Sequence, residues 1–313
     1  MKQKDFSNLK FWCSEIHSLY SIPQGVTMPT KSDLKKCEKL MNSPDEKSKE
    51  ELDFLNKCEN KTAIYNDPPI SKTTQTALLR QYGRMVYNKK IAANGVGQFS
   101  FIKKGSDMEV DAVELLSRID KTDYKLENVN VENEYILGCC DILDRQKDKV
   151  IDTKVSWNIN TFLKSRTAKF DDKYWYQMQG YMELYDVNQA EVVFLLLNTP
   201  PGLIEIEKIK LLNRFVLGQV DRDKYDLDME NIESAFTYNN IPIKRRYFRY
   251  KVKREPEIFK NMYKKVEKAR IWLSEFEQVM KINTFIVPSD KYICAEKDNT
   301  EHNTEEPLEN HAG

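Results

Sequence analysis

Two short β-type runs near the middle of the chain carry charge where a strand should be apolar. The first is Gly-Cys-Cys-Asp-Ile-Leu, residues 138–143, and the second is Val-Ile-Asp-Thr-Lys-Val, residues 150–155. Side chains alternate along a strand, so Asp152, Lys154 and Ser156 share one face while Ile151, Thr153 and Val155 share the other. If the runs pair as a hairpin about Gln146 and Lys147, Asp141 falls opposite Asp152 on the same face. Like charges directly opposite destabilise a sheet, and a buried carboxylate without a partner costs on the order of several kcal/mol. A divalent cation held by both carboxylates, with Lys154 beside it, offsets that cost.

The 313 residues suffice for a sizeable core, as one large domain or two small ones. Lys plus Arg and Asp plus Glu are equal at 49 each, so affinity for a polyanion has to come from a local patch. Sixteen Tyr and fourteen Phe point to a folded chain. The longest aliphatic-aromatic run, residues 192–197, is too short to span a bilayer, and the first residues lack the apolar core of a signal peptide. The expectation is a soluble cytoplasmic protein without a membrane partner. Six cysteines, at 13, 37, 58, 139, 140 and 294, form no CxxC and no zinc spacing and read as free thiols.

Other segments read as follows. Leu34, Leu40, Leu52 and Leu55 mark two short helices around a turn broken at Pro44, and Ser71 is placed to cap a helix through Leu78 and Tyr82. Glu109, Ala112, Val113 and Leu116 lie at i, i+3, i+4 and i+7 on one helix face, which is expected to turn Glu109 inward; taken alone, a boundary glutamate reaching solvent fits as well. Residues 171–186 read as a helix with Gln177 and Tyr181 on one face, either as site residues or as a satisfied amide in an aromatic core stripe. Residues 190–197 read as a strand covered on both faces, and residues 203–212 as a further strand. In residues 244–254, seven of eleven are Lys or Arg. Arg245, Arg249 and Lys251 are expected on one face of a strand, where they hold nucleic acid or protect a sheet edge. A stripe from Phe259 to Met280 marks a long helix after Pro256.

Gly105-x-x-x-Glu109, Gly138-x-x-Asp141, Asp152-x-Lys154 and Gln177-x-x-x-Tyr181 follow one another in that order. The series resembles the PD-(D/E)XK nuclease superfamily, and within it the phage-type exonucleases of the lambda exonuclease and YqaJ-type viral recombinase branch. The resemblance covers residues 70–200 well, and more weakly residues 11–14 and the last long helix. It implies an α/β (α+β) fold: a restriction-endonuclease-like core with a central mixed β-sheet flanked by helices, a helical N-terminal region and a long C-terminal helix. The expected division is a helical region over residues 1–70 packed on a nuclease core over 71–289, then a disordered polar tail over 290–313.

By the same resemblance Glu109, Asp141 and Asp152 hold metal, aided by the carbonyl of Thr153. Lys154 positions the attacking water, and Gln177 and Tyr181 line the cleft. Oxygen ligands suit Mg²⁺ or Mn²⁺. Some relatives bind an iron–sulfur cluster through one upstream cysteine and three near the C-terminus; after Cys140 only Cys294 remains here, so no cluster is expected. The chain has no phosphate-binding Gly-x-x-x-x-Gly-Lys-Ser/Thr loop, which argues against a helicase fusion. The implied activity is metal-dependent exonucleolytic hydrolysis of linear duplex DNA in phage recombination or DNA processing. Further partners it brings into view are a single-strand annealing recombinase and a second copy of the chain in a homo-oligomer. A related endonuclease and a non-catalytic DNA-binding protein of the same fold are the alternatives.

Overall fold

The computed structural model describes residues 4–88 and 100–282; the tail expected from residue 290, with Cys294, lies outside them. The chain begins with β1 (Phe11–Trp12), α1 (Lys31–Asn42), α2 (Lys49–Asn66), α3 (Lys72–Val86), α4 (Ser100–Asp107) and α5 (Glu109–Asp120). The strands β2 (Val131–Glu132), β3 (Ile136–Gly138), β4 (Ile142–Asp144) and β5 (Lys149–Val155) follow. Then come α6 (Ile159–Thr167), α7 (Asp172–Tyr185), β6 (Gln189–Leu195), α8 (Pro201–Val216), α9 (Arg222–Ala235), β7 (Tyr247–Lys253) and α10 (Glu257–Val279).

The helices start where short polar side chains satisfy the free N–H groups of the first turn. Thr30 with Asp33, Ser48 with Glu51 and Asn158 with Thr161 form reciprocal caps, and Ser71 and Asp171 cap α3 and α7. The stretch expected as a strand over residues 203–212 is instead the body of α8. Pro201 occupies its first turn. Leu203, Ile204 and Leu211 are buried at helical spacing, and Glu205–Lys208 and Glu207–Lys210 pair three apart. Alternation of Ile with Glu and Lys looks like a strand, but residues of high helix propensity follow a proline here.

The strands divide between two sheets rather than one. A small sheet has the order β1-β3-β2, and a four-stranded mixed sheet has the order β4-β5-β6-β7, with β5 and β6 parallel and both outer pairs antiparallel. One face of the larger sheet, with Val150, Val192, Phe194 and Val252, packs against α7 and α10 and against the N-terminal residues Phe6, Phe11 and Ile16. The other face, with Ile151, Val193 and Leu195, packs against Ala112, Val113 and Leu116 of α5. Helices thus cover both faces of the parallel pair, whose near-continuous apolar sequence reflects it. No described helix is long and apolar enough to cross a membrane.

Candidate active site

The hairpin sets the site. Ile142 pairs with Ile151 and Asp144 with Lys149, the register that centres on Gln146 and Lys147. Extended by one residue, it places Asp141 opposite Asp152. Regular pairing stops there, because β3 ends at Gly138 and β4 begins at Ile142. Freed from the ladder, Asp141 turns its carboxylate to β5: its Oδ2 accepts from the Thr153 N–H and from Thr153 Oγ1, both at 2.6 Å. No hydrogen bond is made to Asp141 Oδ1 among the described residues. Mutual repulsion is thereby relieved by backbone donation.

Asp152 is buried on the face towards α7. Gln177 donates from Nε2 to Asp152 Oδ1 at 3.2 Å and to Tyr181 Oη at 2.9 Å, so the amide and the phenol one turn apart on α7 are both core groups and site groups. Asp152 Oδ2 lies 2.5 Å from Lys154 Nζ; beyond that ion-pair contact it is sealed from water with no hydrogen-bond partner. Burial, and then the negative charges of Asp141 and Glu109, push the Asp152 carboxyl up to about 6 against the pull of Lys154. For Lys154, burial opposes the charge, but Asp152 outweighs it and the net shift is upward. The ammonium also stands 5.5 Å from the centre of the Tyr174 ring.

Glycine is required at two points around this constellation. A Cβ on Gly138 would stand 2.7 Å from Tyr181 Cε1, and one on Gly180 would stand 2.7 Å from Cys13 Sγ. The close approach of β3, α7 and the segment after β1 leaves no room for either.

Asp141, Thr153 and Lys154 open into a cleft of roughly 550 Å³. Glu109 lines it too, yet as the first residue of α5 it sits exposed at the mouth instead of turning inward with Ala112 and Val113. Partial burial, followed by repulsion from Asp141, raises its carboxyl, while Lys154 acts the other way. Three carboxylates therefore feel one another across the cleft. Among the described residues no three acidic, histidine or cysteine side chains stand close enough to make a preformed metal cage. The donors still fit a hard cation: they are carboxylate oxygens, and both hydrogen bonds to Asp141 fall on Oδ2, which leaves its Oδ1 uncommitted among the described residues.

The other half of the cleft, formed by Phe101, Trp157, Thr161, Ser165 and Tyr174, escaped the sequence reading of the site. Thr161 and Ser165 are one turn apart on α6, and Trp157 lies two residues past the end of β5, so the signal lay in proximity to Lys154. Lys104 was also missed. Its side chain is fully buried and donates to the carbonyls of Trp157 at 3.0 Å and Leu197 at 2.7 Å, which straps α4 to the ends of β5 and β6; burial lowers its pKa to about 7.

The basic stretch does not form one free face. Arg249 is bound to Asp120 through both terminal nitrogens, at 2.8 and 3.1 Å, and to Glu191 at 2.9 Å. Arg245 lies in a short 3₁₀ turn, Ile243–Arg245, before β7 begins, and Lys251 alone of the three is an exposed residue of the strand. α5 covers the face that Arg249 occupies, and its carboxylate Asp120 claims that guanidinium.

Among solved structures, the chain aligns with a phage-related exonuclease from Haemophilus somnus 129PT at a TM-score of 0.58 and 21% identity, over 87% of this chain and 97% of that one. The chain has that exonuclease's fold. An alkaline exonuclease from Laribacter hongkongensis aligns less closely, at a TM-score of 0.44 and 13% identity over 67% of this chain and 84% of that one. No protein-family model matches the sequence, and no curated protein does. The mixed sheet with helices on both faces, which the resemblance implied, is thus the architecture found; Asp141, Asp152 and Lys154 fall at its β4–β5 hairpin, Gly138 on β3 of the small sheet, Gly105 on α4, Glu109 on α5, and Gln177 and Tyr181 on α7.

Proposed function

We propose that this chain is a metal-dependent deoxyribonuclease that hydrolyses phosphodiester bonds from the ends of linear duplex DNA, in phage recombination or DNA processing. The observation that carries the reading is the Asp152–Lys154 ion pair at the wall of a cleft that Asp141 and Glu109 also border. A structural ion pair would be balanced in charge. Here three carboxylates surround one ammonium, an arrangement that repels a phosphodiester unless a cation joins it.

Asp141 and Asp152 would hold Mg²⁺ or Mn²⁺, with Glu109 at the mouth and the Thr153 carbonyl on the same strand edge as its N–H, and the bound ion would supply Lewis-acid polarisation of the phosphoryl group. The protein's own groups do the rest. Lys154, fixed by Asp152 and the Tyr174 ring, presents a positive charge where negative charge develops on phosphate. Gln177 locks the Asp152 carboxylate in one orientation, and Tyr181 locks Gln177. His17, the one histidine among the described residues, lies outside the cleft lining.

The test is cleavage of linear and covalently closed duplexes with Mg²⁺ or with EDTA. The expected result is Mg²⁺-dependent loss of linear duplex, intact circles, and no cleavage by Asp152→Ala. Near-wild-type cleavage by Asp152→Ala overturns the site assignment, and rapid nicking of circles makes the enzyme an endonuclease.

A further inference from the structure

Among the described residues Lys104 is the most deeply buried charged side chain, with no exposed surface and no ion pair. Its ammonium is satisfied without an acid. Two donations go to the carbonyls of Trp157 and Leu197, and the rings of Trp157 and Tyr238 are centred 5.9 and 5.7 Å from the nitrogen. Its neighbour Lys103 shows the ordinary alternative, a surface pair with Asp107. Burying an ammonium costs free energy that an apolar side chain of the same length does not incur. An apolar residue would fill the space, but it would not tie α4 to two carbonyls.

Those carbonyls and Lys104 belong to different segments of the cleft. Trp157, two residues past β5, lines it together with Thr161 and Ser165 of α6, and Leu197 lies two residues past β6. The α4–α5 segment contributes Gly105 and Glu109. Lys104 joins the two segments without itself lining the cleft.

The first turn of α5 has little support of its own. Helices α1, α2, α3, α6, α7 and α9 each begin at a side chain that caps them, whereas Met108 at the start of α5 offers none. The buried residues of α5 begin only at Ala112. Glu109 precedes them, and its turn is held from α4: the Met108 N–H donates to the Lys104 carbonyl at 3.1 Å, and the Ala112 N–H to the Met108 carbonyl at 2.9 Å. Lys104 therefore grips the ends of β5 and β6 with its side chain and the start of α5 with its main chain.

We propose that Lys104 is a positioning residue for the metal site: it fixes the first turn of α5 against the ends of β5 and β6, and so sets where the Glu109 carboxylate stands relative to Asp141 and Asp152. That role rests on the nuclease reading of the site, but metal binding tests it without cleavage.

The test is a double-mutant cycle. Mn²⁺ binding is read from the electron paramagnetic resonance signal of the free ion in wild type, Lys104→Met, Glu109→Gln and the double variant. Met retains an unbranched stem and removes the ammonium. Lys104→Met should bind Mn²⁺ roughly tenfold more weakly, the loss typical when a group that orients a metal ligand is removed. Beside Glu109→Gln the same change should cost about twofold at most, because the carboxylate it positions is gone. Ser100→Ala cuts the other side-chain tether of α4, to Glu207 on α8, and should match wild type. An unchanged affinity in Lys104→Met, losses that multiply across the cycle, or an equal loss in Ser100→Ala each overturn the proposal. If Lys104→Met lacks the wild-type circular dichroism spectrum, Lys104→Gln, which retains a neutral donor, takes its place. Its loss should also vanish beside Glu109→Gln; no loss, a loss that persists there, or a second failure to fold makes Lys104 a residue of the fold alone and overturns the proposal. Cleavage of linear duplex is measured in parallel. A wild type that cuts, beside losses that multiply, removes this inference and leaves the nuclease reading. A wild type that shows the coupled loss of Mn²⁺ and never cuts does the reverse, and one that binds no Mn²⁺ overturns both.

Discussion

Replacing Asp152 by Asn should stabilise the metal-free protein, by an amount that depends on pH in a definite direction. In the folded chain the Asp152 carboxyl titrates near 6, against an ordinary value of 3.8. Between those two pH values the folded protein retains a proton that the unfolded chain has released, so this group lowers stability as pH rises through the window. Above it the cost is complete. A shift of about two units corresponds to roughly 3 kcal/mol. That shift already contains the opposing pull of Lys154, so the loss of the ion pair is not subtracted again. The Gln177 bond survives, since Asn offers the same Oδ1. The expected gain is about 3 kcal/mol at pH 8, shrinking towards zero near pH 4. Urea unfolding followed by circular dichroism in EDTA, across that range, measures it. Mg²⁺ should reverse the order by stabilising wild type alone. An Asp152→Asn protein less stable than wild type by the same margin at every pH would refute the reasoning, because Asp152 would then be an ordinary structural partner of Lys154.

Two further outcomes follow from the packing. Gly138→Ala should force the Tyr181 ring away from Gln177, lowering stability by about 1–3 kcal/mol and reducing turnover more than substrate affinity, as read by urea unfolding and steady-state kinetics. Arg249→Ala should cost about 2–4 kcal/mol by leaving Asp120 and Glu191 short of a partner, with no change in the salt slope of DNA binding; a shallower slope at unchanged stability would return Arg249 to the DNA-binding surface.

The parts of this protein that its sequence determined by itself are those governed by near neighbours in the chain. The hairpin register followed from strand alternation and turn position, and it placed Asp141 opposite Asp152. The caps Ser71 and Asp171, the one-turn spacing of Gln177 and Tyr181, and the stripe of α10 are likewise local. What only the tertiary structure decided is what covers each face. Alternation put Arg245, Arg249 and Lys251 together, but whether Arg249 is free depends on Asp120, 129 residues away on α5. Lys103 and Lys104 are indistinguishable as neighbours in sequence, yet one pairs with Asp107 at the surface and the other is sealed beneath the ends of β5 and β6. Glu109 obeys its helical period and still faces the cleft mouth, because the helix begins there. A period states which side chains share a face. The charge, water and backbone that meet this face come from distant segments, and they set the pKa of Asp152, the fate of each arginine and the shape of the site.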